Sequence, residues 1–128
     1  MIFPPRFNMA HYFLDHNLEA GRGDKIAVQW VGGSKTYAEV VDDANRFAHA
    51  LGDLGHRMEE RVLFLLPDRY EFIPAWFGTL KAGGVFTMVN PHLPATDYSH
   101  YLEYTRARVA IVDGDCFRRI RPILEQAR

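Results

Sequence analysis

Apolar and polar residues alternate along this chain in more than one rhythm, and each rhythm predicts a different element. Val62 to Leu66 is an unbroken apolar run with no alternation. A strand of that kind is buried on both faces, as in the middle of a parallel sheet covered by helices. Val85–Val89 and Val109–Val112 are predicted as two further buried strands. The three begin at 62, 85 and 109, and steps of 23 and 24 residues suit repeated strand–helix units. The predicted fold class is therefore α/β, a parallel doubly wound sheet flanked by helices.

A helical period fills the gaps between these runs. Apolar residues at 37, 40, 41, 44, 47, 48, 51 and 54 keep to it without a miss, which predicts a helix over 37–54. Thr36 is its expected N-cap, with Glu39 at the capping-box position and Asp42–Arg46 as a stabilising i,i+4 pair. The stretch 70–82 is apolar nearly all round and predicts a deeply packed helix. Asp68 and Glu71 mark its start like a capping box, and Gly83-Gly84 stop it. Short helices are expected from Asn8, with Met9, Tyr12, Phe13 and Leu18 inward, and from Thr96-Asp97, bearing Tyr98, Tyr101 and Leu102. A last helix is expected from Cys116. Residues 26–36, with Gly32-Gly33 between two short strands, predict an N-terminal β-hairpin. Residues 1–7, with two prolines, read as an irregular lead-in.

Composition changes this picture little. With 128 residues, 48% of them hydrophobic and 24% charged, the chain suits one soluble domain with a real core. A net charge of −1 gives no general reason to bind nucleic acid or an anionic membrane. Cys116 is the sole cysteine, so no disulfide can form within the chain and a cytoplasmic setting is expected. No apolar run approaches the ~18 residues of a membrane span, and the N-terminus lacks a signal-peptide pattern.

Candidate chemistry is sparse. No P-loop, no G-x-G-x-x-G after a strand, no nucleophile elbow and no zinc-type Cys/His spacing occurs. His11 and His16 are five apart, off the i,i+4 spacing of two ligands on one helix face. Six arginines between 106 and 128 are interleaved with acids and read as a solvated helix face. The residues alone support a soluble α/β domain of unstated activity.

The order of motifs says more. TYAEV, the LLPD turn, the LKAGGV helix end, the NP loop and the RARVAIV strand occur in sequence at characteristic spacing. Over roughly residues 7–113 the chain resembles the opening of the adenylate-forming, AMP-binding ligases. Through FNMAHYFLDHNLEAGRGDKIAV it is most similar to the benzoate-type CoA ligases. The resemblance implies that 1–128 is the N-terminal portion of an AMP-binding large domain, a partial domain. The complete enzyme would use ATP and Mg2+ to activate a small, aromatic carboxylic acid as an acyl-adenylate. It would then form a thioester with coenzyme A.

The family's phosphate loop, acyl pocket, ribose-binding aspartate and catalytic lysine match nothing here, and Lys25, Lys35 and Lys81 stand in none of the lysine contexts. No catalytic or metal residue is therefore assigned. The chain alone is expected to be inactive and to bind none of these cofactors tightly. One site candidate remains. In related ligases a basic residue follows the NP pair near the coenzyme A nucleotide phosphate, and here that position is His92. Histidine is only fractionally charged at neutral pH and is a weaker phosphate partner than arginine, so His92 is either that contact or a surface loop residue. The alternative function is a stand-alone, non-catalytic α/β binding or interaction module. Because few helices are available to cover three apolar strands, self-association is expected, with unusual exposure on the Tyr98/Tyr101/Leu102 helix and the last helix.

Overall fold

In a computed structural model that describes residues 4–126, the three apolar runs form one parallel sheet. Strand β3 (Arg61–Leu65) lies in the middle, between β4 (Val85–Met88) and β5 (Val109–Val112). Arg61 is opposite Val85, and Val62 is opposite Val109. The alternation of β3 explains why its run is wholly apolar. Val62 and Phe64 pack with Leu51 of α2 (Tyr37–Asp53) and Ala75 of α3 (Phe72–Lys81). Leu63 and Leu65 point to the other face, against Tyr98 of α4 (Ala95–Thr105) and Cys116 and Ile120 of α5 (Gly114–Gln126). These four of the five β3 side chains are at most 1% exposed, Arg61 being the exposed one, and each buried residue of this type contributes about 1.5–3 kcal/mol.

The hairpin forms as predicted, from β1 (Ile26–Trp30) and β2 (Gly33–Thr36). Thr36 and Glu39 close a complete capping box at the start of α2. Thr36 N–H donates to Glu39 Oε2 at 2.8 Å, and Glu39 N–H donates to Thr36 Oγ1 at 3.3 Å. Arg46 reaches Asp42 at 2.6 Å. α2 and α3 touch backbone to side chain at Gly78, where a Cβ would sit 2.6 Å from the Ala44 carbonyl oxygen. Gly83, at φ 72°, takes the left-handed turn that ends α3.

Four expectations are corrected. No capping box forms at Asp68 and Glu71: α3 begins at Phe72, after a turn in which Phe72 N–H donates to Arg69 O and Ile73 N–H to Tyr70 O. At the observed N-cap, Glu71, the Ile73 N–H is already given to Tyr70 O and Pro74 has no N–H to offer, so no side-chain cap forms. The N-terminal helix buries Ala10 and Leu14, while Tyr12 and Phe13 are half-exposed. A π-helical turn, His11–Asp15, precedes α1 (His16–Glu19) and widens the spiral, which rotates Phe13 outward. Asn8 bonding to Leu80 O (2.8 Å) and Asp15 to Lys81 Nζ (2.5 Å) lock that rotation. The last helix begins at Gly114, two residues early, because Asp113 Oδ1 caps it by accepting Cys116 N–H at 2.6 Å. Finally, Tyr98 is fully buried and Tyr101 and Leu102 half-buried, so α4 covers its face of the sheet; Tyr104 and Phe117 are the exposed apolar residues there. Residues 1–3 of the expected lead-in lie outside the described residues, and 4–7 form neither helix nor strand.

Candidate functional site

The chain moves from β3 to β4 on one side and returns to β5 on the other, so the direction of winding switches at β3. Ligands of open α/β sheets bind outside the carboxyl ends of strands at such a point. A cleft of about 700 Å³ opens there, floored by Phe47, Leu66, Ile111 and Val112. Its rim carries Asp43, Arg46, Arg69, Glu71 and Asp113, which are largely engaged with neighbours. Arg46 pairs with Asp42, Arg69 with Glu71 at 3.5 Å, and Asp113 caps α5.

Tyr70 ties this rim to the hairpin. Its hydroxyl donates to Asp43 Oδ2 at 2.6 Å, its ring stacks on Trp30 at 4.8 Å, and Lys35 Nζ lies 5.8 Å from the ring centre. Burial, and then the Asp43 carboxylate, push the Tyr70 pKa up, so it stays a neutral donor. A second cleft of about 720 Å³ separates residues 28–31 of the hairpin from 68–73.

No reacting constellation assembles at either cleft. Among the described residues no group of three His, Cys, Asp or Glu could hold a metal ion. Burial raises the Cys116 thiol pKa, the opposite of what an activated nucleophile needs. Lys35 is engaged with Glu39 and Asp43 at 3.5 Å each, and Lys81 with Asp15 and Asn45. His11 and His16 lie 3.6 Å from separate acids, Asp15 and Glu19.

His92 sits apart from both clefts, exposed in the loop after β4. The loop itself is well held. His92 N–H donates to Asn90 Oδ1 at 2.9 Å, and the buried Tyr98 donates its hydroxyl to Asn90 O at 3.0 Å. From α5, Arg119 donates to the carbonyls of Pro91 and Leu93. Sequence reasoning passed over Arg119 as one of several solvated arginines. Its signal was its place one residue before the buried Ile120, at the border of the apolar face of α5.

Comparison with known proteins agrees with this fold. A family model described as AMP-binding enzyme matches residues 14–128. Over 121 residues the chain is 33% identical to the 4-hydroxybenzoate–CoA/benzoate–CoA ligase of Rhodopseudomonas palustris, covering 94% of this chain and 22% of that protein. It is 35% identical over 122 residues to the benzoate–CoA ligase of Thauera aromatica, covering 94% and 23%. Among solved structures, a benzoate CoA ligase from Burkholderia xenovorans LB400 superposes with a TM-score of 0.87 at 36% identity, over 94% of this chain and 24% of that one. The chain thus spans less than a quarter of the length of the curated relatives named here.

Proposed function

The chain belongs to the AMP-binding enzyme family, and we propose from this that it forms the N-terminal portion of the large domain of an aryl-CoA ligase. The observation that carries the proposal is the family match over residues 14–128, joined to 33–36% identity with benzoate-type CoA ligases. The complete enzyme would consume ATP to convert an aromatic carboxylic acid to an acyl-adenylate, release pyrophosphate, and transfer the acyl group to coenzyme A. The setting proposed is the cytoplasm, and a net charge of −1 argues against nucleic acid as a partner. No helix among the described residues is long and apolar enough to cross a membrane.

This chain supplies scaffold to that reaction. Neither cleft carries a nucleophile with its base, and among the described residues no group of three His, Cys, Asp or Glu could hold a metal ion. His92 is proposed as a contact for the coenzyme A nucleotide phosphate, on a loop pinned by Asn90, Tyr98 and Arg119. A fixed loop lowers the ordering cost of such a contact. The cleft at the switch point favours a second reading, a non-catalytic binding module.

Two experiments separate these readings. The coding sequence beyond Arg128 is expected to continue into a Ser/Thr/Gly-rich phosphate loop; a stop codon there would favour the module. The purified 128-residue chain is expected to give no carboxylate-dependent exchange of labelled pyrophosphate into ATP. Exchange that survives removal of contaminating ligase would overturn the scaffold role.

A further inference from the structure

The backbone is held on both sides of His92, while its own side chain is left uncommitted. On α5, Arg118 and Arg121 pair with Asp115 and Glu125 of the same helix, the ordinary use of an exposed helix arginine. Arg119 crosses to another element instead. Its Nη2 donates to Pro91 O and its Nη1 to Leu93 O at 3.4 Å, so one guanidinium spans the residues before and after His92. The hydroxyl of the buried Tyr98 donates to Asn90 O at 3.0 Å, and the His92 N–H is given to Asn90 Oδ1 at 2.9 Å. Among the described residues the His92 imidazole makes no hydrogen bond or ion pair, and the residue is exposed.

A held backbone beneath an uncommitted side chain presents that side chain to a ligand, because the loop is ordered before the ligand arrives. Arginine suits the holding role. Its planar fork of five donors reaches two carbonyls at once, whereas the lysine ammonium is a point donor on a flexible stem.

We propose that Arg119 is a positioning residue, fixing the 90–93 loop so that His92 meets the nucleotide phosphate of coenzyme A in one geometry. The inference deepens the ligase reading and rests on it, since the ligand is the one proposed there. Arg119 acts through the loop and touches no substrate. His92, only fractionally charged at neutral pH, depends on that geometry more than a permanent cation would.

In the purified chain, Arg119→Gln should speed amide exchange of His92 and Leu93 about tenfold, while Leu63 and Phe64 in β3 keep their protection. Arg118→Gln, which breaks only a pair within α5, should leave these amides unchanged. Kinetics are read in a hybrid in which residues 14–128 replace the matching segment of the Thauera aromatica benzoate–CoA ligase. There Arg119→Gln should raise the KM for coenzyme A about tenfold. The KM values for ATP and benzoate, and benzoate-dependent pyrophosphate exchange, should not change. Arg119→Lys keeps the charge but cannot span two carbonyls, so it should leave most of the loss in place. Unchanged loop exchange in Arg119→Gln, a loss shared by all three substrates, or full recovery with lysine would each overturn the proposal. His92→Ala separates it from the reading beneath it. If His92→Ala raises the coenzyme A KM and Arg119→Gln does not, the positioning role falls alone. If neither raises it, or a folded hybrid is inactive beside an active parent, the coenzyme A reading falls with it.

Discussion

A methyl group added at position 78 would have no room, because it would meet the Ala44 carbonyl at 2.6 Å and Phe47 at 2.9 Å, atoms on a neighbouring helix. Gly78→Ala is therefore expected to destabilise the fold by about 1–3 kcal/mol in urea denaturation. Gly52 is the control. A Cβ there meets nothing within 4 Å, and Gly52→Ala in helix α2 should instead stabilise by about 0.5–1 kcal/mol. At Tyr70 the hydroxyl joins the loop after β3 to α2 through Asp43. Tyr70→Phe should cost about 1–2 kcal/mol, since it removes a hydrogen bond to a carboxylate at a half-buried position. Because the folded pKa of Tyr70 is raised, its contribution holds below the ordinary tyrosine value of ~10 and is lost as pH rises through the raised value. Glu39 behaves in the opposite sense. The Thr36 backbone N–H lowers its pKa, so the stability it adds is present above the ordinary carboxyl range and lost as pH falls through the lowered value. Melting temperature against pH, for the parent and Glu39→Gln, should show a shallower acid slope in the variant.

At the scale of elements, what could be foretold depended on how local each cause is. α2 was legible because its cap, its period and its Asp42–Arg46 pair all lie within the segment itself. Thr36→Ala should remove the cap and lower stability by about 1 kcal/mol, with exchange at the first turn of α2 rising before that at its centre. The strands were legible because burial on both faces leaves an apolar run. The N-terminal helix was not, since its inward face is chosen by Asn8 and Asp15 bonding to Leu80 and Lys81, some seventy residues away in sequence. The onset of α3 failed for a different reason: two i→i+3 turn bonds lead into a helix that starts at Phe72, beyond the reach of a cap at Asp68. At the candidate site, His92 was nameable only through the NP motif. Neither Arg119 holding its loop nor the charge-neutralised rim of the cleft was legible, because both depend on side chains that meet across the fold.

For the molecule as a whole, β3 is buried on both faces, and among the described residues no group of three His, Cys, Asp or Glu could hold a metal ion. The buried strand, the paired helices and the pinned NP loop are features of a platform. They suit the proposed role, the N-terminal portion of a ligase domain. The most direct test is a hybrid in which residues 14–128 replace the matching segment of the Thauera aromatica benzoate–CoA ligase. AMP release that requires benzoate, ATP and coenzyme A together is the predicted result. A hybrid that is folded and soluble yet releases no AMP, beside an active parent ligase, would contradict it.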